Sequence, residues 1–340
     1  KKQGLAFGLD YTAVYLKADN SPGEDEAAGG IFRFFGSWTL TGRGTDNTGS
    51  LVYKVENRHR LASIPPNALG FETGYLGFLG APFGDQGWML TNLYWQQRTR
   101  GERLNFVAGW IDATDYLNIY GLVSPWLHFL NLEFETGSTI PLPNQGLGAA
   151  VGAMLTDTLY LVAGLTDTNG DPTSPEDGFD TFFNDHEFFT HVEIGYTPSF
   201  ERRYLDNVHL MLWHADEREN AQVPDGWGAN FSAAKFIDDK WMPFFRAGWS
   251  EDGGALLQAS VTGGAGFYFK KNRDVLAFAL GWGKPTDNAL RDQYTAEIFY
   301  RFQIAQNLAL TPSLQFVIDP ALNPAEDEII YFGLRLRFSL

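Results

Sequence analysis

The 340-residue sequence predicts an all-β fold: a closed antiparallel transmembrane β-barrel of about sixteen strands. Three observations predict it. Apolar and polar residues alternate with period two through many segments, the signature of strands with one oily and one polar face. Tight polar turns alternate with long connections rich in Gly, Asp and Pro. No run of roughly 18 apolar residues exists, so a membrane-crossing helix is not available.

The last segment carries the clearest alternation. Ile330, Phe332, Leu334, Leu336, Phe338 and Leu340 fall on one face, and Tyr331, Gly333, Arg335, Arg337 and Ser339 on the other. In a barrel the oily face meets lipid and the polar face meets the lumen. The same pattern begins at 4–16, where Leu5, Phe7, Leu9 and Tyr11 oppose Asp10 and Thr12. It continues at 31–42, where Phe32, Phe34, Trp38 and Leu40 oppose Arg33, Ser37 and Thr39. Further strands are expected at 50–60, 87–98, 103–111, 145–155, 158–166, 187–197, 207–215, 226–236, 242–250 and 256–269. Near the end, 274–284 sets Leu276, Phe278, Leu280 and Trp282 against Ala277, Ala279 and Gly281. Then 293–304 sets Tyr294, Ile298, Tyr300 and Phe302 against Glu297, Arg301 and Gln303. In 308–318, Leu308, Leu310, Leu314 and Phe316 oppose Thr311, Ser313 and Gln315, and 329–340 completes the series. Each is close to the ~9–11 residues that a tilted strand needs to cross a bilayer. A segment such as 129–137 would change the count by a hairpin.

The connections sort by length. Those after odd-numbered strands are long, at 17–30, 61–86, 112–144, 167–186, 216–225 and 319–328; those at 101–102, 156–157, 270–274 and 305–307 are tight. This predicts short periplasmic turns, long extracellular loops and both chain ends at the short-turn side. An even strand number closes without an edge, which lipid would not tolerate. Trp88, Tyr94, Trp95, Trp110, Trp241, Trp249, Trp282 and Tyr331 fall near strand ends, as interfacial girdles require. A soluble β-sandwich also buries aromatics, but strand number, loop asymmetry and the oily last strand together favour the barrel.

Composition narrows the function. The net charge of −16 argues against a nucleic-acid partner, and the lack of cysteine excludes disulfides and thiolate metal sites. Lys1-Lys2-Gln3-Gly4 has no apolar run, so a signal peptide is either absent or already removed. Residues 1–340 read as one barrel domain.

A barrel of this size is too wide for side chains to fill and leaves an aqueous channel. Its inward positions then carry the function: Arg33, Lys54, Glu56, Arg58, Arg60, Glu193, His209, Trp213, Arg246, Glu297, Arg301, Arg335 and Arg337. Positive groups outnumber negative ones there, so the acid belongs mainly to loops such as 23–26 and 171–180. Arginines, carboxylates and an indole can hydrogen-bond hydroxyls and stack on sugar rings; they can also select anions, or simply pair and stiffen the wall. Loops 61–86 and 112–144 are too apolar to float in water, with Tyr75-Leu76-Gly77-Phe78-Leu79 in one and Trp126-Leu127-His128-Phe129-Leu130 in the other. Both are expected to fold into the lumen, which makes Asp112, Asp115 and Trp126 candidates for a constriction. Lys54, Glu56, Arg58, Arg246, Glu297, Arg301 and Arg335 are the expected pore-lining partners.

Other motifs do not hold up. Asp167, Asn169 and Asp171 open like a calcium loop, but the twelfth position is Gly178 and Pro172 interrupts, so a solvated loop is the better reading and an extracellular calcium site the alternative. His186 and His191 flank a glutamate at the wrong spacing for a zinc protease, and on a strand they point to opposite faces. No Gly-x-Ser-x-Gly occurs. The sequence asks for no cofactor and argues for a channel, not an enzyme.

Several stretches resemble a known family. They are Ala108-Gly109-Trp110-Ile111-Asp112-Ala113-Thr114-Asp115-Tyr116-Leu117, Phe129-Leu130-Asn131, Pro141-Leu142-Pro143-Asn144-Gln145-Gly146-Leu147-Gly148 and Ala163-Gly164-Leu165-Thr166-Asp167-Thr168-Asn169. Ile318-Asp319-Pro320-Ala321-Leu322-Asn323-Pro324 and the closing Phe338-Ser339-Leu340 complete the set. Their order, from about residue 100 onward, resembles carbohydrate-selective porins of the OprB type. The resemblance implies a sugar-permeable barrel of about sixteen strands with a narrow, arginine-bearing eyelet, in the outer membrane of a Gram-negative bacterium. It implies small sugars as solutes, a bilayer with lipopolysaccharide as surroundings, and leaves monomer and homotrimer open. A channel for small anionic metabolites is the competing expectation, with a secreted lectin or adhesin behind it.

Overall fold

The protein is described by a computed structural model covering residues 3–269 and 274–340; Lys1, Lys2 and most of the turn expected at 270–274 lie outside the described residues. Sixteen antiparallel strands among those residues close into one ring. The first eight are β1 (Leu5–Ala18), β2 (Glu26–Thr41), β3 (Thr48–Arg60), β4 (Gly87–Thr99), β5 (Leu104–Ile111), β6 (Gly146–Met154), β7 (Leu159–Asp167) and β8 (Phe188–Tyr196). The others are β9 (Asn207–Ala215), β10 (Gly226–Ala234), β11 (Trp241–Asp252), β12 (Leu257–Tyr268), β13 (Val275–Pro285), β14 (Gln293–Ala305), β15 (Leu308–Ile318) and β16 (Glu328–Ser339). Every strand pairs with its sequence neighbours, and β1 closes on β16 in a register that runs from Asp10 opposite Ser339 to Ala18 opposite Tyr331. Closure matters because a backbone edge left unpaired in hydrocarbon costs several kcal/mol per group.

The boundaries differ most at β2, which starts at Glu26 and not at 31. Its first residues, Ala27, Ala28, Gly29 and Gly30, have too little contrast in polarity to display alternation, yet they pair with β1. Residues 129–137 form no strand; they contain a single 3-10 turn, Leu132–Phe134, whose Glu133 amide is capped by Asn131.

The outer face is oily as expected, with Phe7, Trp38, Trp88, Trp241, Trp249, Leu280 and Phe338 exposed. Three of the expected girdle residues are placed otherwise. Tyr94 turns inward because β4 carries a bulge: Lys54 pairs with Asn92 but the next residue, Val55, pairs with Leu90. One extra residue inverts the alternation beyond it. Trp110 is buried, with Gly178 of the loop after β7 against its ring and its Nε1 donating to the Leu90 carbonyl at 2.7 Å. Tyr331 faces inward, fully buried, and its hydroxyl shares a 2.6 Å hydrogen bond with Thr73 Oγ1.

The interior is partly filled by the two long connections. Residues 61–86 contain helix α1 (Pro66–Thr73), opened by a proline in its first turn and closed by Gly74 at φ 98°, a left-handed position that favours glycine. Leu69, Tyr75, Leu79 and Phe83 of this segment pack on Val14, Leu16, Ile31, Val317, Ile329 and Tyr331, so the inner wall is apolar where the segment covers it. Farther round the barrel, Tyr120, Leu122, Phe129 and Phe134 pack on Met242, Phe244, Val275, Ala277 and Phe299. At Gly281 of β13 a side chain would run into Phe134 and the Thr295 hydroxyl, so the wall is bare where the segment lies closest. The two segments join through a bridge between Leu79 and Asn131 and a 3.0 Å bond from the Leu132 amide to the Phe78 carbonyl.

The lipid-facing assignment is directly testable. Leu280 is 62% exposed in the middle of β13. Leu280→Arg is expected to destabilise the barrel in a bilayer by about 2–4 kcal/mol, read as a shift in denaturant unfolding from liposomes.

Candidate functional site: the channel neck

The neck is built where the segment after β5 turns across the lumen. Asp112 ends the strand as the cap of a short 3-10 turn, Ala113–Asp115, its Oδ1 accepting from the Thr114 amide at 3.0 Å and the Thr114 hydroxyl at 2.5 Å. Its Oδ2 accepts from Gln145 Nε2 at 2.9 Å and lies 3.7 Å from Lys54 Nζ. Lys54, inward on β3, reaches Asp115 Oδ2 at 3.1 Å, and Asn92 Nδ2 donates to the same oxygen at 2.8 Å. Burial pushes the Asp112 carboxyl up, but Lys54, Thr114 and Gln145 outweigh it and hold the group below the ordinary aspartate value. Asp115 keeps 46% of its side chain open to the channel.

Two further groups complete the wall. Glu56 and Arg58, two residues apart and therefore on one face of β3, pair at 2.8 Å through Arg58 Nε. Next to them on β2, the guanidinium of Arg33, the cross-strand partner of Glu56, lies over the Trp126 ring at 3.6 Å from its centroid. Arg33 and Arg337 share the buried carboxylate of Asp10, Arg337 at 2.8 Å, so the guanidinium over the indole is held in place.

A cavity of about 870 Å³ runs along this wall, from Thr168, Arg218 and Gly253 at the long-loop end to Ile119 and Tyr204. Of the residues expected to line the pore, Lys54, Glu56, Arg58, Asp112, Asp115 and Trp126 do line it. Arg246, Glu297, Arg301 and Arg335 do not: their side chains end on the backbone of segment 112–145. Glu297 accepts the Leu130 amide at 2.9 Å and the Asn131 amide at 3.0 Å. Arg335 donates to the carbonyls of Pro125 at 2.6 Å and His128 at 2.7 Å. Arg246 donates to those of Glu135 and, at 2.9 Å, Thr136, and Arg301 reaches the Leu127 carbonyl at 3.4 Å. Irregular backbone inside a barrel must find partners, and these side chains supply them. Burial beside Arg301 and Arg335 also holds the His128 imidazole well below its usual pKa, hence neutral.

The excess of positive charge read from the inward strand positions therefore does not reach the water-filled space. That space meets Lys54, Arg58 and Arg218 against Glu56, Asp112, Asp115 and Glu135. Sequence reasoning missed Asn92, Gln145 and Tyr204. Asn92 faces inward only because of the β4 bulge, Gln145 is a neutral residue at a strand start, and Tyr204 sits in a turn that alternation does not cover.

The loop acids are committed elsewhere. Asp167 accepts the Asn169 amide and the Thr181 hydroxyl, Asp171 accepts from Thr173, and Asn169 donates to Glu187 at 2.6 Å. His191 is buried inside β8, while His186 occupies a left-handed turn before it. No group of three metal-ligating side chains occurs among the described residues.

The sequence pattern of the carbohydrate-selective porins of the OprB family matches residues 53–218 and 202–340. The chain belongs to that family. Among solved structures, this porin is similar to Pseudomonas putida OprB in its high-pH structure, with a TM-score of 0.78 at 14% identity over 100% of this chain and 95% of the other. It is similar to the low-pH structure of the same protein with a TM-score of 0.58 at 13% identity, covering 100% and 93% of the two chains. A triple mutant of the Rhodopseudomonas blastica porin gives 0.60 at 10% identity, covering 99% and 100%. At these identities the likeness speaks for the fold alone. No curated protein sequence matches the chain.

Removing the Glu297 carboxylate isolates the contribution of the segment's anchoring. Glu297→Ala leaves two buried amides without an acceptor, a cost of about 1–3 kcal/mol each. The expected result is a folded, heat-modifiable barrel whose single-channel conductance is larger and noisier than that of the parent.

Proposed function

We propose that this porin lets small neutral sugars diffuse passively across the outer membrane of a Gram-negative bacterium, with selectivity set where Lys54 meets Asp112 and Asp115. Membership of the carbohydrate-selective family is the observation that carries the substrate class. The neck supports it chemically. A sugar hydroxyl both donates and accepts, and here two carboxylates accept while Lys54, Asn92 and Gln145 donate. Paired charges bind a neutral solute through hydrogen bonds weak enough to release it, which conduction requires. The Trp126 ring, held by Arg33, offers an apolar surface for the face of a pyranose. The chain acts as a channel with no catalytic step.

The arginines inherited from the alternation pattern take a different part in this reading: Arg246, Arg301 and Arg335, with Glu297, hold the constricting segment in place. That weighs against the anion channel. The basic groups at the neck are already paired, and the long-loop rim carries acids such as Asp171, Glu176, Glu217 and Glu219 that repel anions before they enter.

Proteoliposome swelling tests the reading. Isosmotic glucose should enter faster than a disaccharide, and both faster than an organic anion of glucose size; preferred entry of the anion would overturn it. The double variant Asp112→Asn, Asp115→Asn leaves Lys54 and Arg58 facing only Glu56, so its reversal potential should move toward anions. An unchanged potential would remove the two aspartates from the neck.

A further inference from the structure

We infer a second saccharide site on the short-turn side of the neck, sized for one pyranose ring; the inference rests on the sugar-channel reading and deepens it. A separate cavity of about 260 Å³ lies beneath residues 111–119, against the inner faces of β4 to β9, and reaches the turn at Arg98, Glu102 and Arg103. Small-molecule sites enclose about 300–1,000 Å³, so this lobe lies just under the small end of that range and at less than a third of the 870 Å³ main cavity, which favours one ring over two. It shares Asp112, Asp115, Ile119 and Tyr204 with the main cavity. A solute that clears the neck therefore meets this lobe next.

The lining has the chemistry of a sugar site. Tyr94, Tyr160 and Tyr204 present rings with a hydroxyl at the tip, and Arg98 adds a donor fork tied only by a 3.4 Å surface pair with Glu102. The second observation is independent of shape. Asn207 is 3% exposed; its Nδ2 donates to the carbonyls of Ile119 at 2.9 Å and Arg203 at 2.8 Å, but its Oδ1 has no protein partner. Asn105 Oδ1, also in the lining, is likewise buried and unpartnered. Buried polar atoms are normally satisfied, so two at one small cavity mark a place where a hydroxyl-bearing guest completes the hydrogen bonding. Gly152 of β6 offers a way to close the space: a side chain added there meets nothing within 4 Å and projects into the lobe.

The test is single-channel recording in a planar bilayer with glucose or maltose added to one face at a time. A site beside one mouth fills fastest from that mouth. Glucose from the short-turn face should interrupt the current with a higher association rate than from the long-loop face, and maltose should not show this excess. Arg98→Ala should lower the short-turn-face association constant by about fivefold to tenfold, the worth of one ordinary hydrogen bond at a half-exposed side chain. Gly152→Phe should abolish the excess, with a heat-modifiable gel band confirming a folded barrel. Equal glucose block from both faces, or an excess that survives both variants, overturns the second site while leaving the neck in place. Glucose that fails to interrupt the current from either face brings down the sugar-channel reading itself.

Discussion

Ring closure is the constraint on which everything else in this molecule depends. Once β1 pairs with β16 through Asp10 opposite Ser339 and its neighbours, no backbone edge is left to lipid, and the outer face needs only to be oily. The same closure creates a space that strand side chains cannot fill. What occupies that space then decides what passes, and the answer is the chain's own long connections.

Backbone brought into a lumen carries amides and carbonyls that must be satisfied. Segment 61–86 meets the demand with helix α1 and an apolar bed of Val14, Leu16, Ile31 and Tyr331. Segment 112–145 has little regular structure, so the wall answers with charge: Glu297 takes two amides, and Arg335, Arg246 and Arg301 take carbonyls. A charge-assisted hydrogen bond to each orphaned group repays part of what it costs to bury the ion. The inner wall is thus divided by task. One sector is apolar, one interleaves anchoring charges with apolar contacts on β11 and β14, and the sector around Lys54 remains open to water.

The division also explains how an acidic chain can carry a nearly balanced neck. Arg33 and Arg337 share Asp10, Glu56 pairs with Arg58, and Asp112 and Asp115 share Lys54, so the extra cation of the first group offsets the extra carboxylate of the last. The surplus of acid lies on the connections outside the barrel. A path lined by paired charges and amides suits solutes rich in hydroxyls, and in the proposed reading the fixed Trp126 indole adds a face for the apolar side of a sugar ring.

Period-two alternation was enough to locate all sixteen strands, two of them, 207–215 and 308–318, residue for residue, because lipid outside and water inside impose the pattern on every strand independently. Alternation falls silent where side chains lose contrast, as in Ala27–Gly30, and it misleads after a bulge, as at Tyr94. Asp112, Asp115 and Trp126 were legible as neck candidates, since acids and an indole in an apolar connection have no other obvious use. Lys54 and Arg335, by contrast, read alike in the sequence: each is a basic residue facing inward on a strand. Only the tertiary structure separates them, because whether an inward cation meets water or a carbonyl depends on the path of a segment whose bonded carbonyls, Pro125 and His128, lie 210 and 207 residues from Arg335. That path is decided by three-dimensional packing, through Phe129, Phe134 and the bare wall at Gly281, and no local pattern encodes it.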